Sequence, residues 1–238
     1  MVAAKLYGGL GNRMLQEAAA IGYSKEHNIL FSHNRLDPFK DTVEVKETGH
    51  SYNYIPCVDR NNTKNVLLNG YFQSEKYFKD HETDIREYFS APTEFEKGVC
   101  SIHVRRGDYL LYPTKHPVVT AKYITSATEY IVGTTTCRYF RVYSDDIHWC
   151  KENLSFLVPD TTVDFMPRQV NPRLDMMAMS RCEHNIIANS TFSWWGAWLN
   201  PNPDKIVISP SASNWFGPGN AHLDTSDIIP EKWIQIKY

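Results

Sequence analysis

Val99-Cys100-Ser101-Ile102-His103-Val104-Arg105-Arg106-Gly107-Asp108-Tyr109 opens on an apolar run and closes on two guanidinium groups and a glycine. The run predicts a strand over 99–104, and Gly107 allows a sharp turn after it. Downstream, strand patterns over 139–143, 162–165, 184–188 and 205–209 are separated by helical patterns over 120–132, 146–153, 173–181 and 191–199. In the 173–181 helix, Leu174, Met177 and Ala178 take one side. Such alternation predicts an α/β fold with a parallel sheet and crossover helices. In sheets of that kind the ligand crevice lies beyond the carboxyl ends of the strands. Three polar clusters fall at such ends: Arg105-Arg106-Gly107-Asp108, Ser144-Asp145-Asp146 and Asn189-Ser190-Thr191.

Upstream, a short strand over 3–7 runs into Gly8-Gly9-Leu10-Gly11, and a helix is expected over 12–27 with Met14, Ala18, Ile21 and Lys25 at helical spacing,. A second strand is expected over 28–31, an irregular polar stretch over 33–64, a strand over 66–71 and a mostly helical segment over 72–89. Ala91-Pro92 breaks that helix,. The break divides the chain into two expected lobes, 1–91 and 92–238.

The 238 residues are 42% apolar and 22% charged, a globular balance,. A net charge of −2 argues against a nucleic-acid partner held by a broad basic face, while leaving room for a small local anion site,. Five cysteines without a Cys-x-x-Cys read as free thiols and not as a zinc centre,. The sequence has no run of eighteen apolar residues and no signal-peptide pattern at Met1–Tyr7,. The expectation is a soluble cytoplasmic protein with no integral membrane segment.

Arg suits phosphate because its planar fork donates paired, charge-assisted hydrogen bonds. The Arg105-Arg106 pair is therefore open to two readings: a phosphate grip, or an internal ion pair with Asp108. Ser190 and Thr191 stand at a strand-to-helix junction, where free amides and hydroxyls make either an anion site or an ordinary N-cap. The glycine loop is neither a dinucleotide fingerprint nor a Walker A motif, because Met14 occupies the third glycine position and no Gly-Lys-Ser/Thr follows,. Asp145 and Asp146 read as a strand end and a helix cap, with no metal expected.

Taken together and in order, five segments resemble the α-1,2-fucosyltransferases of glycosyltransferase family 11. They are Gly8-Gly9-Leu10-Gly11-Asn12, Gly70-Tyr71-Phe72-Gln73-Ser74-Glu75-Lys76-Tyr77-Phe78, His103 to Tyr109, Tyr143-Ser144-Asp145-Asp146, and the run from His184 through Asn189-Ser190-Thr191-Phe192-Ser193-Trp194-Trp195 to Asn200. The resemblance implies a GT-B-like fold, with an acceptor-side first lobe and a Rossmann-like second lobe holding GDP-fucose. It implies inverting transfer of fucose to a galactose-containing glycan, at O-2. No metal or other cofactor is expected, because Arg105 and the Ser190/Thr191 helix end can stabilise the charge that grows on the phosphate. Carried onto this chain, Arg105 meets the β-phosphate, with Arg106 and Asp108 shaping that site. His103 lies against the nucleoside, Asn189, Ser190 and Thr191 line the phosphates, and Asp175 takes the guanine N–H groups. Asn12 approaches from the first lobe with Gly9 and Gly11, so Arg105 and Asn12 are the expected catalytic residues. The family loop usually reads Gly-Asn-Gln-Met-Phe-Gln, whereas here Arg13 follows Asn12 and Leu15 follows Met14. A non-catalytic nucleotide- or sugar-binding module, or transfer with another linkage, is the alternative.

Overall fold

A computed structural model describes residues 1–33, 42–47, 52–57, 65–155 and 158–237. Most of the irregular 33–64 stretch lies outside the described residues. The chain forms two compact units. Residues 1–90 with 223–230 make the first, and 91–222 with 231–238 the second. The return of 223–230 to the first unit is a departure from a division at 91 alone.

The second unit is built on a six-stranded, all-parallel sheet. Its strands are β4 (Glu96–Val104), β5 (Tyr139–Ser144), β6 (Thr162–Phe165), β7 (Cys182–Ile186), β8 (Val207–Pro210) and β9 (Ile234–Ile236). They stand in the order β6-β5-β4-β7-β8-β9. Counted from β4, this is the doubly wound order 3-2-1-4-5-6, whose strand order reverses between β4 and β7. The loops after those two strands carry Arg105-Arg106 and Asn189-Ser190. Topology alone thus places two of the three polar clusters at the position where such sheets bind ligands.

Crossover helices α3 (Ala121–Thr134), α4 (Ile147–Asn153), α5 (Pro172–Ser180) and α6 (Thr191–Trp198) complete the unit. Side-chain caps start all four: Thr120 accepts from Tyr123 N, Asp146 from Trp149 N, Asn171 from Arg173 N and Ser190 from Phe192 N,. One core layer packs Cys100, Ile102 and Val104 of β4 against Tyr123, Ile124, Ala127 and Ile131 of α3. Trp194, Trp195 and Trp198 are all buried, as their helical spacing implies. On α5 the buried residues are Met176, Met179 and Ser180, while Leu174 is exposed. The side expected from Leu174, Met177 and Ala178 is therefore wrong, because the helix turns toward Gly196 of α6, where a Cβ would crowd Met179.

A buried polar network ties the two switch-point strands to this layer. Asn185 Nδ2 donates to Ser101 Oγ at 2.7 Å and to the Met179 carbonyl at 2.9 Å, and Asn200 Nδ2 donates to Asn185 Oδ1 at 2.8 Å. Buried amides are tolerated only when satisfied in this way.

The first unit holds a three-stranded parallel sheet, β1-β3-β2, with β1 at Val2–Ala4, β2 at Thr42–Lys46 and β3 at Asn65–Asn69. Helix α1 (Leu10–Glu26) packs Ala19, Ala20 and Tyr23 against Val2, Val66 and Leu68. The strand expected over 28–31 reduces to one bridge, Val2 to Phe31, because Asn28 ends α1 in the left-handed region at φ 51°. The helix expected over 72–89 is two 3₁₀ turns, Glu75–Tyr77 and Lys79–His81, followed by α2 (Glu82–Tyr88). Phe72 at φ 51° and the extended φ of −152° at Phe78 break the helical path.

We expect Asn185→Ala to lower unfolding free energy by about 2–3 kcal/mol, because it strands the buried Ser101 hydroxyl and removes one of the bonds made by the Asn200 amide,. Urea unfolding checks this, and a loss below about 0.5 kcal/mol would show that the network is dispensable.

Candidate active site

The site is organised by Asp145. Its side chain is only 10% exposed, and its two oxygens do different things. Oδ1 accepts the backbone N–H of Arg106 at 2.8 Å, and Oδ2 pairs with Arg105 Nη1 at 2.8 Å. The turn after β4 is thus pinned to the end of the neighbouring strand β5. Gly107 makes the fit possible, since a Cβ there would collide with Asp145 Oδ2.

The two arginines have different environments. Arg106 is 15% exposed, pairs through Nε with Asp146 Oδ2 at 2.9 Å, and lies 4.0 Å over the Trp149 ring. Asp146 in turn caps α4, and its carboxyl is held below the usual range by Arg106 first and the Trp149 N–H second. Ion pair, cap and cation–π contact all restrain Arg106 as part of the scaffold. Arg105 is 33% exposed and is gripped by Asp145 through Nη1 and by Asp108 through Nη2 at 2.6 Å. A guanidinium has five N–H donors, so these two pairs leave capacity for a ligand. Asp108 is 58% exposed, and an exposed pair contributes only about 0–1 kcal/mol,. A dianionic ligand can displace Asp108 while Asp145 keeps the guanidinium aimed. The internal ion pair and the phosphate grip are therefore compatible.

Tyr109 joins the Arg turn to the second polar cluster. Its hydroxyl donates to the Asn189 carbonyl at 2.9 Å and meets the Ser190 hydroxyl, while Arg105 lies 5.6 Å over its ring. Burial pushes this phenol up to about 12. Ser190 is the N-cap of α6, with its hydroxyl accepting from Phe192 N at 3.4 Å, and Thr191 is the first helical residue. Asn189 Nδ2 donates to the carbonyls of Pro117 and Trp215, while the buried Oδ1 has no partner among the described residues. The arrangement presents one cationic fork and one helix N-terminus on the two sides of the switch point, and both attract negative charge.

His103 is enclosed, 5% exposed, with its ring 5.4 Å from Phe192 and its Nδ1 without a partner among the described residues. Burial first, then the Arg105 charge, lowers its pKa to about 3, so the ring is neutral at pH 7. Asp175 sits in the first turn of α5, where its carboxylate accepts the Gln169 N–H at 3.2 Å and burial raises its pKa. No contact joins Asp175 to the Arg turn among the described residues. Gly9, Gly11 and Asn12 belong to the first unit, where Asn12 Oδ1 accepts from Gln73 Nε2 at 3.0 Å. The glycine under constraint in that loop is Gly8, with φ 82° and Asn12 directly against its missing Cβ, whereas Gly9 has open space.

The model of glycosyl transferase family 11 matches residues 50–237. This chain belongs to that family. Among curated family relatives, the alpha-1,2-colitosyltransferase of Escherichia coli is 29% identical over 293 aligned positions, covering 100% of this chain and 99% of the relative. The O-antigen biosynthesis glycosyltransferase WbnK of Escherichia coli is 34% identical over 77% of this chain and 68% of its own length. Human galactoside alpha-(1,2)-fucosyltransferase 1 is 33% identical over 41% of this chain and 28% of its own length. A mutant of Arabidopsis thaliana FUT1, solved in complex with GDP, superposes with a TM-score of 0.56 at 12% identity, covering 87% of this chain and 70% of that one. The family 11 chain thus has the expected GT-B-like fold. Among the described residues, no helix is long and apolar enough to cross a membrane.

Sequence reading did not assign roles to Asp145 and Tyr109 in this site. Tyr109 was visible only as the residue after the Arg turn, and Asp145 only as a polar strand end. Their partners are 39 and 80 residues away in sequence, and strand order alone makes them neighbours.

The folded pKa of His103 lies below the unfolded value of about 6.5,. Its contribution to stability is therefore complete above about pH 6.5 and is lost progressively as pH falls toward about 3,. Between about pH 6.5 and 5.5 this amounts to about 1 kcal/mol. Urea unfolding of His103→Gln beside the parent should show that much less acid sensitivity. Equal slopes would mean that the folded ring protonates freely.

Proposed function

We propose that this family 11 glycosyltransferase moves L-fucose from GDP-β-L-fucose to a galactoside hydroxyl, O-2, with inversion to an α-1,2 linkage. One observation carries the reading: Arg105, clamped by Asp145, and the N-terminus of α6 flank the switch point of a doubly wound sheet. In such sheets that position receives the phosphates of a nucleotide. The family membership supplies the reaction class.

Cleavage of the bond between sugar C1 and the β-phosphate oxygen leaves cationic character on the sugar and negative charge on the departing diphosphate. The acceptor oxygen bonds C1 from the opposite face and releases its proton. Rate is gained where growing charge meets preorganised partners. Arg105 would bind the diphosphate through donors not used by Asp145, with Asp108 yielding its place. The α6 N-terminus, through Ser190, Thr191 and their amides, would face the same charge. Arg106 would hold the turn through Asp146 and Trp149, consistent with its lower exposure. With the leaving group neutralised by these groups, catalysis would need no metal.

A second reading keeps site and mechanism and exchanges the donor sugar for colitose. It is favoured by a relative that aligns with the whole chain and is named for that sugar. Fucose and colitose differ at the C3 hydroxyl, which is remote from the phosphate grip.

Incubation with GDP-fucose or GDP-colitose, a panel of β-galactosides and a chelator should give one α-1,2-linked product by NMR. The donor that turns over identifies the sugar. No transfer from either donor, or activity abolished by the chelator and restored by a divalent ion, would contradict the proposal. Arg105→Ala should lower kcat/KM by about 30- to 1000-fold, equivalent to about 2–4 kcal/mol of transition-state stabilisation. Near-normal turnover in that variant would remove Arg105 from the mechanism.

A further inference from the structure

Transfer needs a second substrate, and its chemistry differs from that of the donor. A saccharide acceptor is neutral, rich in hydroxyls, and carries apolar C–H faces. The cationic fork of the second unit does not match it. The carboxyl edge of the first unit's sheet does.

Three side chains follow closely on the ends of the three parallel strands. Tyr7 follows β1, Glu47 follows β2, and Tyr71 follows β3. Tyr52 joins them from beyond β2. The Tyr7 and Tyr71 rings meet edge to face at 4.9 Å, and the Tyr52 and Tyr71 rings stack at 5.7 Å. All three tyrosines are half-buried. Burial first, then the neighbouring Tyr71 and Glu47, raises the pKa values of Tyr7 and Tyr52.

Glu47 holds this edge together. Its carboxylate accepts the N–H groups of Tyr71 at 2.6 Å and Phe72 at 3.1 Å, and the Tyr77 hydroxyl at 3.5 Å. These bonds secure Phe72 in the left-handed region at φ 51°, which costs a non-glycine residue energy,. Gly70 is required beside it, because a Cβ there would collide with Glu47. The Gly70-Tyr71-Phe72 backbone is thus bent around a half-buried carboxylate, and the bend sets the Tyr71 ring between Tyr7 and Tyr52. Strain retained at a half-exposed aromatic cluster is typical of sites that bind something.

We propose that Tyr7, Tyr52 and Tyr71 form the platform for the acceptor saccharide, with Glu47 as its positioning residue. The rings offer faces to the sugar's C–H surface, and the phenols offer donors and acceptors to its hydroxyls. The cluster contains a carboxylate and no cation among these four residues, so it favours a neutral sugar over a phosphate. The inference rests on the proposed transferase function and assigns that function's second substrate to named residues.

The test uses the full chain, the donor that turns over, and lactose as acceptor probe. Tyr52→Ala should raise the lactose KM by about tenfold or more, the scale of losing one aromatic sugar contact. Donor KM and the acceptor-free hydrolysis of the donor should stay within about twofold. Tyr71→Phe retains the ring and should give a smaller rise, about threefold, again with donor parameters unchanged. If neither variant moves the lactose KM beyond about twofold while transfer continues, the platform is wrong and the transferase function stands. If donor hydrolysis and transfer fall in parallel in both variants, the residues act on folding and the platform is also wrong. If the parent chain transfers no sugar to any galactoside, the functional reading fails and takes the platform with it.

Discussion

The active unit depends on one nearly buried carboxylate. Asp145 at the end of β5 binds a backbone amide and a guanidinium of the turn that leaves β4. A charge so placed must be paired, because desolvation makes an orphan carboxylate costly. Asp145 is therefore both satisfied and directive: its two oxygens set the path of Arg106 and the aim of Arg105. Gly107 and the Asp146–Arg106–Trp149 stack follow from that geometry. Tyr109 then carries the order across the switch point to Asn189 and Ser190.

Much of the second unit was legible in the amino-acid sequence. Strands β4, β5 and β6 and helices α3 to α6 stand close to where hydrophobic periodicity puts them, because their patterns are long and their breaks are marked by caps. The parallel sheet and the carboxyl-end position of the polar clusters follow from alternation alone. Short elements were lost. Thr42-Val43-Glu44-Val45-Lys46 has a clean period of two and forms β2, yet it lies in a polar stretch that hides it. Ile234-Gln235-Ile236 forms β9 with the same signal over only three residues. The 72–89 segment misled because its apolar spacing suits a helix, while Glu47 captures the amides of Tyr71 and Phe72. Such a long-range side-chain contact has no local signature.

The site shows the same division. The Arg pair and the Asn189-Ser190-Thr191 turn could be found by residue type, since guanidinium groups and helix N-termini advertise anion binding. Which arginine faces a ligand could not. Exposure and partners separate Arg105 from Arg106, and both depend on Asp145 and Asp146 arriving from another strand. Likewise, loop glycines are visible in sequence, but only the backbone shows that Gly8, and not Gly9, carries the conformational demand. The proposed function ties the donor's phosphate chemistry to the second unit, and the proposed platform ties the hydroxyl-rich chemistry of an acceptor to the tyrosines of the first.

The central claim is that Asp145 holds Arg105 ready for a diphosphate at the switch point between β4 and β7. A crystal structure of this chain with GDP tests it most directly. The account predicts the β-phosphate within hydrogen-bonding distance of Arg105 and the α6 N-terminus, Arg105 still paired with Asp145, and Asp108 turned away. A diphosphate bound elsewhere, with Arg105 still locked between Asp108 and Asp145, would contradict it.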